Sequence, residues 1–210
     1  MLSAHNYWNL GAFVSSEAET ILENTLTIPA AKRYIGTDGI LVPTGEIRVT
    51  KGTPLDFTAS KPARSIGRDI AEAEDYCGTG CVGYDNALIL DRPYSASHLA
   101  GMTGGDVGGS DGSEAEVLRM WAPTTGIEMK LWTNMGGLQM YSCDGLNGTI
   151  AVKESQQHGN ANAITTKVPK YGCLVLETQD VSWSFLLLFF SSFVCVCVCV
   201  CVSCRLSPGR

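Results

Sequence analysis

Among the side chains that could move a proton or hold a polar ligand, four stand in or beside strand-like runs: His5, Asp85, Gln139 and Glu177. A carboxylate and an imidazole make a useful pair. Near neutral pH the first is ionised and the second only partly protonated, so one can accept a proton while the other delivers one. Glu177 stands in Tyr171–Gln179 (YGCLVLETQ), directly behind the apolar run Leu174, Val175, Leu176. A carboxylate buried there is costly unless it is paired or used; the plainer reading is a strand-end glutamate emerging into solvent. His5 lies in Ser3–Phe13 (SAHNYWNLGAF), a strand running into a turn, and is either an N-terminal surface histidine or a side chain aimed at a site. Asp85 opens the strand-like Gly83–Asp91 (GYDNALILD), where an aspartate also serves to cap a turn. Gln139 is an amide within the apolar run Gly136–Ser142 (GGLQMYS). Buried, it needs partners, structural or ligand. His98 and His158 sit among polar residues and read as surface histidines.

The elements that must position these groups read as short strands. Thr25–Ile28 is a strand-like run ended by Pro29, and Ala30–Tyr34 is a short turn or strand. In Thr37–Phe57, the turn signals Asp38-Gly39, Pro43-Thr44-Gly45 and Lys51-Gly52-Thr53-Pro54 punctuate the runs Ile40–Val42 and Ile47–Val49. That regularity predicts an all-β sandwich or barrel. Lys61–Asp75 is the best helix candidate, with Ile66, Ile70 and Ala73 at helical spacing. Gly78–Gly83 (GTGCVG) formally fits G-x-G-x-x-G but follows a helical pattern and opens a strand. A dinucleotide site needs the reverse order, so this is a turn. Ala100–Ser113 is a Gly-rich linker lacking a phosphate loop's Lys-Ser/Thr ending. Glu116–Ser142 predicts a hairpin turning at Pro123–Gly126 and then a third strand, Gln156–Thr166 a polar loop, and Val168–Gln179 a final strand.

Charge and cysteines limit the partners. Arg205 and Arg210 are the only charges after Asp180, so the first 180 residues keep 13 of 15 basic groups against all 21 acidic ones, a net charge of −8. That disfavours a nucleic-acid partner, which needs a basic footprint, and gives no pull toward anionic lipid. Cys77, Cys81, Cys143 and Cys173 are scattered and read as no disulfide framework. The Cys77/Cys81 spacing lacks a second pair or a nearby His to complete a zinc site. Met1–Leu10 has neither a basic n-region nor an apolar core, so the expected setting is reduced and cytoplasmic. Asn147-Gly148-Thr149 is formally a glycosylation acceptor, meaningful only in an exported chain.

Several of these stretches together resemble the aldose 1-epimerase, or galactose mutarotase, family. The pieces are AHNYWNL, DGILVPTGEI followed by GTPLDF, GYDNALIL, the pair TTGIEMKLWT and GGLQMYS, and GCLVLETQ, in family order across most of residues 3–180. The resemblance implies an antiparallel β-sandwich of the large mutarotase-like supersandwich type, here incomplete. It implies interconversion of the α and β anomers of free aldoses such as galactose and glucose, without cofactor or metal. Carried over by motif, Glu177 takes the proton of the C1 hydroxyl as base, His5 protonates the ring oxygen as acid, and Asp85 and Gln139 hydrogen-bond sugar hydroxyls. Tyr7 and Trp8 could pack on the sugar, with core packing the plainer reading for both. The chain departs from the family at Ala4, where Asn is usual, and at Asn86, where His is usual. Family members also begin with a long segment bearing a second active-site histidine and a sugar-contacting arginine, which is missing before Met1.

Residues 1–180 are thus expected to form a partial sandwich domain, and 181–210 an aberrant tail. Val181–Val202 is 22 residues without a charge. At face value this is long enough for a membrane anchor, at about 20 residues per crossing. The favoured reading is a translated intron: Val-Cys alternation is what a repeated GT dinucleotide encodes, and Val181-Ser182 can be written as a splice donor. A membrane partner is expected only if the tail is genuine. Its uncharged Val/Cys alternation predicts poor solubility. Two rival functions remain: a non-catalytic carbohydrate-binding sandwich, and an epimerase of sugar phosphates, for which no Arg/Lys cluster is placed.

Overall fold

The computed structural model describes residues 5–59, 62–91, 115–133, 135–154, 166–179 and 201–206. Eleven antiparallel strands account for most of the regular structure: β1 (Tyr7–Trp8), β2 (Thr25–Thr27), β3 (Ala31–Thr37), β4 (Pro43–Val49), β5 (Arg64–Ser65), β6 (Asp85–Leu90), β7 (Ala115–Trp121), β8 (Ile127–Thr133), β9 (Gly137–Tyr141), β10 (Leu174–Gln179) and β11 (Cys201–Leu206). One sheet runs β1-β10-β9-β6-β3-β4 and the other β11-β8-β7-β2-β5.

Period-two patterning explains why the sheets stack. Leu88 and Leu90 of β6, Leu138 and Met140 of β9, and Leu174 and Leu176 of β10 enter one core with Leu26 of β2, Val117, Leu118 and Met120 of β7, and Met129 and Leu131 of β8. Burying each such side chain is worth about 1.5–3 kcal/mol. In β7 both Val117 and Leu118 are buried because the pairing with β8 shifts register between Glu116 and Leu118. The extra residue of a bulge turns two successive side chains inward. The other face of β6, β9 and β10 carries Asp85, Gln139 and Glu177.

The helix expected over Lys61–Asp75 does not form in its described part, residues 62–75. Arg64 and Ser65 pair with Leu26 and Thr25, the Ile66 and Gly67 amides donate to the Asn24 and Leu22 carbonyls, and only Ile70–Glu72 form a 3-10 turn. Ile66, Ile70 and Ala73 are buried as their spacing predicts, but tertiary hydrogen bonding overrides the local preference. Arg64 is the anchor. Buried to 4 % exposure, it lies over the Phe57 ring at 4.1 Å, pairs with Asp69 at 3.2 Å, and donates to the Pro54 and Asp56 carbonyls. Pro43-Thr44-Gly45 likewise opens β4 rather than turning. The turn sits at Asp38, whose Oδ1 accepts the amides of Ile40 (3.0 Å) and Val42 (2.9 Å).

The scattered cysteines also need correcting, for they form two disulfides, Cys77–Cys81 and Cys143–Cys173. β9 and β10 are neighbours in which Tyr141 opposes Val175. Two residues further out that register sets Cys143 opposite Cys173, a pairing that distance along the chain conceals. The linker Ala100–Ser113, His98, His158 and most of the loop Gln156–Thr166 lie outside the described residues, as does residue 180. So does the tail, save for β11, whose backbone pairs with β8. No helix among the described residues is long and apolar enough to cross a membrane.

Candidate active site

Strand pairing sets the site. Glu177 of β10 opposes Gln139 of β9, which opposes Ala87 of β6. Because Ala87 is small, the Gln139 amide can lean across it to the diagonal neighbour. Gln139 Nε2 donates to Asp85 Oδ1 at 2.6 Å. On the other side β1 pairs with β10, Tyr7 opposing Val175. His5, two residues before Tyr7, therefore reaches Glu177, with Nε2 3.5 Å from Oε1. The Glu177 side chain is 20 % exposed and His5 51 %. All four candidate residues are brought together on one face of one sheet.

Asn9 fixes the approach of β1. Its Nδ2 donates to the Ala18 carbonyl (3.1 Å) and the Gly172 carbonyl (3.0 Å), and its Oδ1 accepts the Gly11 amide (2.8 Å). One side chain thus ties the segment carrying His5 to the start of the strand carrying Glu177. Trp8 packs against the core as expected. Tyr7 does not: it is 57 % exposed and its ring lies 5.0 Å from that of His5, so it lines the site.

Two further side chains border the site, neither of them anticipated from the sequence. Tyr141 opposes Asp85 across β9 and β6, and its hydroxyl accepts the Gly145 amide at 3.1 Å. Asp144 accepts the Ser142 hydroxyl at 2.8 Å, and Ser142 Oγ in turn accepts the Tyr84 amide. The approach is close. Gly83 has φ +149°, and a Cβ there would sit 2.7 Å from Asp144 Cβ. Their signal is the strand register: once β6 pairs with β9, whatever follows Tyr141 must border Asp85.

Burial sets the electrostatics. It raises the Asp85 pKa from its ordinary value; the Gln139 hydrogen bond opposes this, and the neighbouring Asp144 and Glu177 carboxylates add to it. Burial likewise raises Asp144, against the Ser142 hydrogen bond, and raises the Tyr141 phenol. Cys77, Cys81 and Asp144 place three potential ligand atoms within 4.8 Å. With both sulfurs joined in a disulfide, they offer no thiolate to a metal.

Chemically, the face presents an acid–base pair beside a hydrogen-bonding pair. The hydroxyl and the ring oxygen of a cyclic hemiacetal are bonded to one carbon. A carboxylate and an imidazole whose tips are 3.5 Å apart can address both.

Comparison with known proteins points the same way. The family model described as aldose 1-epimerase matches residues 1–171. A probable aldose 1-epimerase of Arthroderma benhamiae is 43% identical over 189 residues, 85% of this chain and 40% of that protein. A galactose mutarotase of Sus scrofa is 25% identical over 179 residues, with the same two coverages of 85% and 40%. Among solved structures, an aldose epimerase homologue from C. elegans superposes with a TM-score of 0.55 at 20% identity, covering 84% of this chain and 40% of that one. A galactose 1-epimerase from Lactobacillus acidophilus gives 0.50 at 16% identity, covering 86% and 40%. The two structures speak to the fold alone. The chain spans 40% of the length of the curated relatives it matches.

Proposed function

The chain belongs to the aldose 1-epimerase family, and from that premise we propose that the protein interconverts the α and β anomers of free aldoses such as galactose and glucose. Glu177 removes the proton of the C1 hydroxyl while His5 protonates the ring oxygen. The bond between C1 and the ring oxygen breaks, leaving an open-chain aldehyde. Rotation about C1–C2 presents the other face of the carbonyl. The ring closes again with the roles reversed: the imidazole takes back the proton and the glutamic acid returns one to the carbonyl oxygen. Asp85 and Gln139, bonded to each other, hold sugar hydroxyls and fix the ring over the pair. The observation that supports this reading most is the 3.5 Å approach of His5 Nε2 to Glu177 Oε1. Each positioned proton-transfer group is typically worth about 10²–10⁴-fold in rate.

The competing role, a non-catalytic carbohydrate-binding domain, draws on one observation. His5 is half exposed, and an acid open to water is poorly placed to deliver its proton to one atom. Polarimetry of freshly dissolved α-D-galactose separates the two. Acceleration by the protein supports the epimerase; saturable sugar binding without acceleration supports the binding domain.

A further inference from the structure

We infer that the protein is exported and that Asn147 carries an N-linked glycan. Asn147-Gly148-Thr149 is the sole Asn-x-Ser/Thr triplet in the sequence. It lies in the turns between β9 and β10, with Asn147 and Thr149 exposed. Asn147 Oδ1 accepts the Thr149 hydroxyl (2.8 Å) and amide (3.3 Å). Gly148 has φ +76°, and a Cβ built on it meets nothing within 4 Å. Asn147 itself, the residue a glycan would be attached to, is exposed. Glycan transfer takes place on the emerging chain, so what the folded state must supply is room, and it supplies it.

The cysteines are the independent observation. All four of those in the first 180 residues are paired, and Cys143 and Cys173 are buried. A reduced, cytoplasmic setting is the expectation drawn from Met1–Leu10, and the paired cysteines argue against it. Disulfides form and persist in oxidising compartments. Each one arises as two thiols give up two protons and two electrons to a protein disulfide of that compartment, which is reduced to a dithiol. A chain routed there meets the machinery that glycosylates Asn-x-Thr. A bond forms between Asn147 Nδ2 and the anomeric carbon of a lipid-diphosphate oligosaccharide. The bond from that carbon to the diphosphate oxygen breaks, the lipid diphosphate leaves, and the amide loses one proton. Asn147 stands four residues after Cys143, so the bridge to Cys173 pins the root of the glycan-bearing turn. Since the chain spans 40% of its relatives' length, its first residue does not speak to an export leader.

Protein purified from its source organism is digested without reduction, and the peptide holding Asn147 is weighed before and after an asparagine-glycan amidase. The expected result is loss of the glycan mass with conversion of Asn147 to aspartate, and a Cys143 peptide joined to a Cys173 peptide until reductant is added. Asn147→Gln and Thr149→Ala should abolish the electrophoretic shift, while Thr149→Ser keeps it. An unmodified Asn147 overturns the glycan whatever the cysteines do. Free, alkylatable thiols at the four positions overturn the compartment on which it depends.

Discussion

At Glu177, chemistry and shape can be separated by a single substitution. Glu177→Gln keeps the size of the side chain and removes the proton acceptor. If Glu177 is the base, the variant loses about 10²–10⁴-fold in kcat while its urea unfolding midpoint stays at the wild-type value. Asp85 and Asp144 make a different prediction. Burial raises both folded-state pKa values. The native state then binds more protons than the unfolded chain. These groups contribute stability that is complete below the ordinary carboxylate range and lost as pH rises through their raised values. Asp144→Asn should therefore compare more favourably with the wild type at about pH 7 than at about pH 4, measured by urea unfolding at both. Glu177, Asp85 and Gln139 stand out in the sequence because each interrupts or opens an apolar run, but it was the family resemblance that singled them out as site candidates. Tyr141 and Asp144 were not legible, because their relation to the site exists only once strands distant in sequence are paired.

The site depends on the elements through one register. Glu177, Gln139 and Ala87 share a rung across β10, β9 and β6, and a slip of one residue would turn the polar set into the core. Leu138, fully buried behind Gln139, helps hold that register. Leu138→Ala should cost about 2–5 kcal/mol in equilibrium unfolding. Gly83→Ala should cost about 1–3 kcal/mol, since φ +149° is strained for a side chain and the new Cβ meets Asp144. A Gly83→Ala protein as stable as the wild type would show that the contact relaxes freely. Most of the strands could be read from short apolar runs set off by turn signals. Residues 62–75 could not, because Ile66, Ile70 and Ala73 are buried in the spacing a helix would use. What decides their structure is the Asn24 and Leu22 carbonyls, which belong to another part of the chain.

On the scale of the whole molecule, the edges matter most. β4 closes one sheet with Ile47 and Val49 exposed, and β11 pairs with the far edge of the other sheet. A short, largely apolar segment such as β11 is apt to add to any open edge strand, so that pairing is no argument that the tail belongs to the fold. We propose that residues 1–180 are the sandwich part and 181–210 lie outside it. Removing 181–210 should then leave the unfolding midpoint unchanged and increase the soluble fraction; a protein that unfolds on losing the tail would show that β11 is part of the core structure. Turn spacing made an all-β fold legible but left sandwich and barrel open, and the family resemblance implied the sandwich; the disulfides were not legible, since Cys143 and Cys173 meet only through the β9–β10 register.

The central claim is that His5 and Glu177 act as one acid–base unit on a sugar. The most direct test is a double-substitution cycle read by polarimetry of α-D-galactose, using Glu177→Gln, His5→Asn and the two combined in the full-length protein. Groups that act as a unit are strongly non-additive. The account predicts that each single variant loses about 10²–10⁴-fold and that the combined variant is little worse than the more damaged single one. Losses that simply multiply, or a single variant as fast as the wild type, would contradict it.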